Sequence, residues 1–295
     1  MSLSAAQVDR FHDEGYLQID GLLRQEDLNP VIYEFEMIID RRARQMYADG
    51  HLTQLHEREP FERRIGLLAA EHHPIARDLG PNRVLGCAMF NLMCNPRLLD
   101  ALDSILGPEI LAHPTQVVRP RIRDRDLSAD RRRTTDRTPI HQDAGVLRPD
   151  VDETLLITAW IPLTRADEEN GCLAVIPGSH RYGVRRHDPH SIPDEELPPG
   201  DLRPLPVDPG SVIFFTHLVC HCGLPHQSDR VRWSIDLRYQ DPAQPTGNPV
   251  FEGSIVRSRS NPQSELTYPQ WVSQWKRQLV HDNPWPPIPR WPEAK

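Results

Sequence analysis

Residues 211–239 read SVIFFTHLVCHCGLPHQSDRVRWSIDLRY. Two runs of β-branched and aromatic residues, SVIFFTHLV (211–219) and VRWSIDLRY (231–239), bracket a segment dense in histidine, cysteine, glycine and proline. Such runs predict strands, and the residues between them are turn formers. LLITAWIPL (155–163) and CLAVIPG (172–178) repeat the texture upstream, with Asn170-Gly171 as a hairpin signal between them. Short strands at this spacing predict an all-β barrel or sandwich rather than βαβ units.

The first third of the chain has a different period. Residues 4–15 predict a helix: Ser4 and Gln7 form a capping-box pattern, and Val8 and Phe11 share one face. GYLQIDGLL (15–23) alternates like a short strand. Residues 27–48 predict a longer helix with Val31, Phe35, Ile38 and Ile39 as its apolar stripe. Asn95-Pro96 reads as an N-cap and first helical residue, and Gly107 closes that helix. The tail, from about 262 to 295, carries Trp271, Trp275, Trp285 and Trp291 and is expected to wrap the body. The chain is thus expected to be one domain over 1–295. A mainly helical part (1–107) would precede a β core (108–245) and a C-terminal wrap (246–295).

Composition narrows the class. The 295 residues include 30 prolines, about twice the usual ~5% share, which argues against a helical bundle. The net charge of −8 disfavours nucleic acid as a partner. Mean hydropathy is −0.56, and no apolar run approaches the ~18 residues of a membrane-spanning helix, so no membrane partner is expected. Five cysteines without framework spacing suggest reduced thiols, and the N-terminus shows no leader pattern. A cytoplasmic protein is expected. One stretch reverses the charge balance: RPRIRDRDLSADRRRTTDR (119–137) has eight arginines and four aspartates. It reads either as a solvated loop or as a lid that attracts a carboxylate or phosphate.

His141-Gln142-Asp143 is the first candidate site. In an extended segment, residues i and i+2 point to one face. An imidazole and a carboxylate then converge, which is two-thirds of the two-histidine, one-carboxylate facial triad of non-heme Fe(II). His217, His221 and His226 all follow the strand at 211–219 and each is a candidate for the second histidine; parity does not separate His217 from His221. Arg232 and Ser234 share a strand face, and a guanidinium fork with a hydroxyl suits a buried carboxylate such as the distal one of 2-oxoglutarate. His180, in the turn PGSH (177–180), reads as a turn anchor. Cys220-His221-Cys222 is poor zinc spacing, having no second ligand pair.

Taken in order, HQD, TAWIPLT, ENGCLAVIPGSH (169–180), PGSVIFF (209–215), His221 and Arg232 resemble the phytanoyl-CoA dioxygenase family of Fe(II)/2-oxoglutarate-dependent oxygenases. The likeness is tight over 140–240 and extends more loosely to the N-terminal GYLQIDGLL segment. In that family an arginine follows the distal histidine by about eleven residues. His221 and Arg232 have that separation, so the resemblance selects His221. It implies a double-stranded β-helix (jelly-roll or cupin-like) core, mainly β with flanking helices. It also implies His141, Asp143 and His221 as iron ligands, Arg232 with Ser234 holding 2-oxoglutarate, and Trp160 lining the cosubstrate pocket. Gln142 would border the substrate, and Thr115 or Gln116 would stand near the cosubstrate. The cofactors implied are Fe(II), 2-oxoglutarate and O2, with ascorbate as accessory reductant. The activity implied is hydroxylation or a related oxidation of a small molecule, with release of succinate and CO2. Because Asp143 supplies a carboxylate where related halogenases carry a small residue, halogenation is not expected. A non-catalytic or zinc-binding cupin-like barrel is the alternative. The family often has HxSxxN after the distal histidine, whereas this chain has HCGLPH (221–226).

Overall fold

The computed structural model describes residues 2–77, 79–80, 84–123, 138–188, 191–248 and 251–278. The arginine-rich stretch from 124 to 137, and Trp285 and Trp291, lie outside the described residues.

Three of the helices form close to where the caps and stripes predict them, and three more were not expected. α1 (Ala5–Glu14) starts on Ser4, whose hydroxyl accepts from Gln7 N while Gln7 Oε1 accepts from Ser4 N. It ends at Gly15, which has φ +76°. α2 (Gln25–Ala48) buries Val31, Phe35, Ile38 and Ile39. α3 (Phe61–Glu71) and α4 (Cys87–Met93) follow, and α5 (Pro96–Leu106) is capped by the Asn95 side chain on Arg97 N and Leu98 N. A last helix, α6 (Tyr268–Gln278), buries Trp271 and Trp275.

The strands are β1 (Tyr16–Ile19), β2 (Glu109–Ala112), β3 (Val117–Arg121), β4 (Ile157–Pro162), β5 (Leu173–Val175), β6 (Arg203–Leu205), β7 (Val212–Thr216), β8 (His221–Gly223), β9 (Arg232–Gln240) and β10 (Ser254–Ser258). Seven of them make an antiparallel sheet in the order β1-β7-β4-β9-β2-β10, with β3 also pairing with β9. The other three form a small sheet, β6-β5-β8. β10 falls in the segment expected only to wrap; it pairs with β2 and extends the sheet edge. Its run SIVRS is short and half polar, so its alternation was too weak to stand out.

Period-two alternation sorts the large sheet into two faces. Ile157, Ala159 and Ile161 of β4, Val212 and Phe214 of β7, and Trp233, Ile235, Leu237 and Tyr239 of β9 pack under the helices. Trp160, Ile213 and Phe215 point the other way and meet Leu173 and Val175 of the small sheet. The chain is mainly β with flanking helices, two sheets facing each other in a jelly-roll core. No helix among the described residues is long and apolar enough to cross a membrane.

Candidate active site

β9 sets the inner surface. Its apolar odd residues face the helices, so Arg232, Ser234, Asp236, Arg238 and Gln240 form a buried polar row on the opposite side. Burying five polar side chains on one strand is costly unless each finds a partner. Arg232 and Asp236 of this row line a cavity together with Arg119, Thr138, His141, Asp143, Trp160, Leu173, Phe215, His221, Cys222 and Gly223.

His141, Asp143 and His221 meet at this cavity, and their ligand atoms lie within 4.8 Å of one another. His141 and His221 exchange backbone hydrogen bonds, N to O at 3.0 Å and 2.9 Å. That isolated bridge ties the HQD segment to β8. Asp143 opens a 3-10 turn, Asp143–Val146, which swings its carboxylate toward the two imidazoles. β7 ends at Thr216, and the chain turns before β8 starts in the other sheet. Strand parity therefore does not run from 217 to 221. His217 bonds Val151 O through Nε2, and His226 pairs in an isolated bridge with Asn170.

Each imidazole is oriented by its own backbone. His141 Nδ1 donates to Pro139 O and His221 Nδ1 to Val219 O, both at 2.9 Å. This leaves each Nε2 lone pair for the cavity, the usual arrangement of a metal-ligating histidine. Burial, aided by His221, pushes the His141 pKa down to about 3; burial lowers that of His221 too. Both rings are thus neutral and able to donate. Burial alone would raise the Asp143 pKa, but the charge and hydrogen bonds of Arg238 overcome it and hold the carboxyl well below its ordinary range. Arg238 does so through two bonds, Nη2 to Oδ1 at 2.7 Å and Nε to Oδ2 at 2.9 Å. Thr158 Oγ1 donates to the same Oδ2 at 2.7 Å. Two neutral imidazoles and one ionised carboxylate suit a divalent iron of the facial-triad type.

Arg232 is the second pole. It is 3% exposed, its Nη1 donates to Ser234 Oγ at 2.9 Å, and its Nε has no partner among the described residues. The guanidinium lies 5.2 Å from the Trp160 ring centre. Burial first, and nearby Arg121 second, push its pKa down to about 9. A buried cation held by one hydroxyl and one ring face fits an incoming carboxylate such as that of 2-oxoglutarate. Ser234 holds Arg232 and does not itself line the cavity.

Gln142 is not brought to the cavity. Its amide nitrogen donates to Gly183 O and Leu218 O, and Oε1 accepts from Arg185 N. The side chain faces away from its neighbours, as alternation requires, and clamps the 183–185 loop. Thr115 and Gln116 also stay outside: Thr115 O accepts from Arg238 and the Gln116 amide reaches Met93 Sδ. His180 bonds His12 O and packs on Gly15, where a Cβ would fall 2.3 Å from its Nδ1. At Gly223 a Cβ would lie 2.3 Å from Arg121 Nη1, so a larger residue there would displace the end of that side chain. Among the described residues the only candidate metal cluster is this triad, and it contains no thiol; Cys220 packs with Ile176 and Ile192.

Arg238, Thr158, Arg119 and Asp236 were not singled out from the sequence. Parity held the signal, since 236 and 238 share the face of 232 and 234, and 158 that of 160. Arg119 Nε bonds Asp236 Oδ2 at 3.2 Å across β3 and β9.

A family model described as phytanoyl-CoA dioxygenase (PhyH) matches residues 11–234. Peroxisomal phytanoyl-CoA dioxygenase of Rattus norvegicus is 24% identical over 254 residues, 80% of this chain and 68% of that protein. The 1-deoxypentalenic acid 11-beta-hydroxylase of Streptomyces exfoliatus is 27% identical over 249 residues, 79% of this chain and 80% of that protein. Among solved structures, the non-heme monooxygenase ThoJ in its apo form matches with a TM-score of 0.63 at 18% identity, over 93% of this chain and 97% of that one. EctD from S. alaskensis, crystallised with 2-oxoglutarate and 5-hydroxyectoine, matches with a TM-score of 0.54 at 19% identity, over 82% and 77% of the two chains. These structural likenesses are of fold.

Proposed function

The chain belongs to the phytanoyl-CoA dioxygenase family of non-heme iron, 2-oxoglutarate-dependent oxygenases, and on that premise we propose that it hydroxylates, or otherwise oxidises, an unactivated C–H bond of an anionic small molecule. His141, Asp143 and His221 would hold the iron, and Arg232 would hold 2-oxoglutarate. The observation that carries this reading is the meeting of two neutral imidazoles and an ionised carboxylate at a cavity that is also lined by a buried arginine with no ion pair among the described residues.

Iron and 2-oxoglutarate, when bound, supply the oxidising chemistry: O2 is consumed, 2-oxoglutarate leaves as succinate and CO2, and the substrate is oxidised. The chain's own residues do the positioning. The Pro139 and Val219 carbonyls fix the ring orientations of His141 and His221. Arg232, backed by Ser234 and covered by Trp160, offers its fork to the distal carboxylate. Phe215, with its ring centre 4.6 Å from that of His221, and Leu173 supply an apolar wall that limits water.

The anionic class follows from charge. Arg119 and Arg232 line the cavity with Asp143 and Asp236, while Arg238 bonds Asp143 from behind and Arg121 lies beside Gly223. Two of these arginines are paired with the two carboxylates, and Arg232 awaits the cosubstrate. The basic character of these residues supports a carboxylate- or phosphate-bearing substrate. Localisation in the cytoplasm is part of the same proposal.

The test is anaerobic addition of Fe(II) and 2-oxoglutarate to the metal-free protein, followed by air and a panel of small acids. A visible charge-transfer band and substrate-stimulated succinate release are expected. Asp143→Ala should lose both. No band at saturation, or full succinate release by Asp143→Ala, would refute the ligand assignment.

A further inference from the structure

We propose that Arg238 is a positioning residue that, with Thr158, makes Asp143 a one-oxygen ligand. This rests on the reading of Asp143 as a metal ligand. The two imidazoles come from segments that pair with each other, whereas Asp143 sits on a 3-10 turn whose backbone is tied at Ala144 N to His217 O. A carboxylate on such a turn rotates unless something holds it. Here two adjacent strands do so. Thr158 of β4 and Arg238 of β9 are direct register partners, both side chains point inward, and both end on Asp143.

The hydrogen bonds divide unequally between the oxygens. Oδ2 accepts from Thr158 Oγ1 at 2.7 Å and from Arg238 Nε at 2.9 Å. Oδ1 accepts only from Arg238 Nη2, at 2.7 Å. A carboxylate oxygen has two lone pairs in its plane. Oδ2 has both in use, so the remaining lone pair of Oδ1 is the one available to a cation. The guanidinium is itself locked, since Nη1 donates to Thr115 O at 3.0 Å. Arg238 and Asp143 side chains are 5% and 6% exposed, so water does not loosen the arrangement. A chelating Asp143 would occupy a fourth metal position; one-oxygen ligation keeps three open. Two arginines on one strand face thus do separate tasks, Arg232 toward the cosubstrate anion and Arg238 toward the ligand.

Co(II) alone is the probe, because it binds such donor sets without turnover. Four variants are titrated: Asp143→Ala, Arg238→Ala, Arg238→Lys and Thr158→Val. Asp143→Ala should lose Co(II). Arg238→Ala and Arg238→Lys should each weaken it by roughly ten-fold or more, the usual effect of removing a group that orients a ligand. Guanidinium chloride, but not sodium chloride, should restore affinity to Arg238→Ala. Thr158→Val leaves the ion pair in place and should weaken Co(II) by roughly five-fold, about the worth of one hydrogen bond. Infrared difference spectra should show the stretching pattern of a one-oxygen carboxylate ligand in the parent protein and of a chelate in Arg238→Lys. If Asp143→Ala still binds Co(II), the ligand reading falls and this inference with it. If Asp143→Ala fails to bind while Arg238→Lys and Thr158→Val match the parent in affinity and carboxylate spectrum, this inference alone falls.

Discussion

A guanidinium that is 3% exposed, with no ion pair among the described residues, is an expensive side chain to fold around. Arg232 therefore separates stability from function. Arg232→Met removes the buried charge and keeps most of the volume, so the metal-free protein should melt at the same or a higher temperature. Affinity for 2-oxoglutarate should fall by roughly a hundred-fold, as expected for losing a charge-assisted fork on a carboxylate. Thermal melts and a 2-oxoglutarate titration check both; unchanged affinity would sink the assignment. At this scale much was legible. HQD, His221 and Arg232 are chemically distinctive residues at fixed separations. Arg238 and Thr158 are common residue types whose meaning comes only from the atoms they reach. The direction of Gln142 was legible from alternation, but its three backbone partners lie 41 to 76 residues away and could not be read locally.

At the scale of elements, β9 and its flanks carry the site. His113 follows β2 and joins it to the chain beyond β9: Nε2 donates to Thr246 O at 2.8 Å and Nδ1 accepts from Thr115 N at 3.0 Å. Burial pushes its pKa down to about 4. The unfolded chain takes up a proton near pH 6.5, whereas the folded state resists until about pH 4. Stability is therefore lost as pH falls through that window, by up to about 3 kcal/mol. Denaturant titrations of the metal-free protein between pH 7 and 4 should show a shallower decline for His113→Gln. Parallel curves would refute the buried neutral imidazole. Three helices were legible because their signals are local: a capping box, an Asn-Pro start, a stripe. The strands were legible as apolar runs, but their partners were not. β1 (Tyr16–Ile19) pairs with Val212–Phe215 across nearly two hundred residues, and β10 joins β2 from outside the expected core.

For the whole molecule, the site draws its pieces from both sheets and from the HQD segment between them. The ring orientations are set by Pro139 and Val219 carbonyls and the carboxylate by Arg238, all protein groups. Folding therefore precedes metal loading. Chelators should strip the metal and leave the far-ultraviolet circular dichroism unchanged. Co(II) at a hundred times its dissociation constant should add about 2.7 kcal/mol and raise the melting temperature. Collapse of secondary structure on chelation would contradict this order of assembly.

The polar row on β9 bears on how such a chain can diverge. One residue inserted within the strand would turn every later side chain to the opposite face, driving Arg238 among the helices and Leu237 into the cavity. One residue inserted in the turns on either side changes only a loop length. An added residue is therefore expected to be tolerated in the flanking turns and not within the nine residues from Arg232 to Gln240.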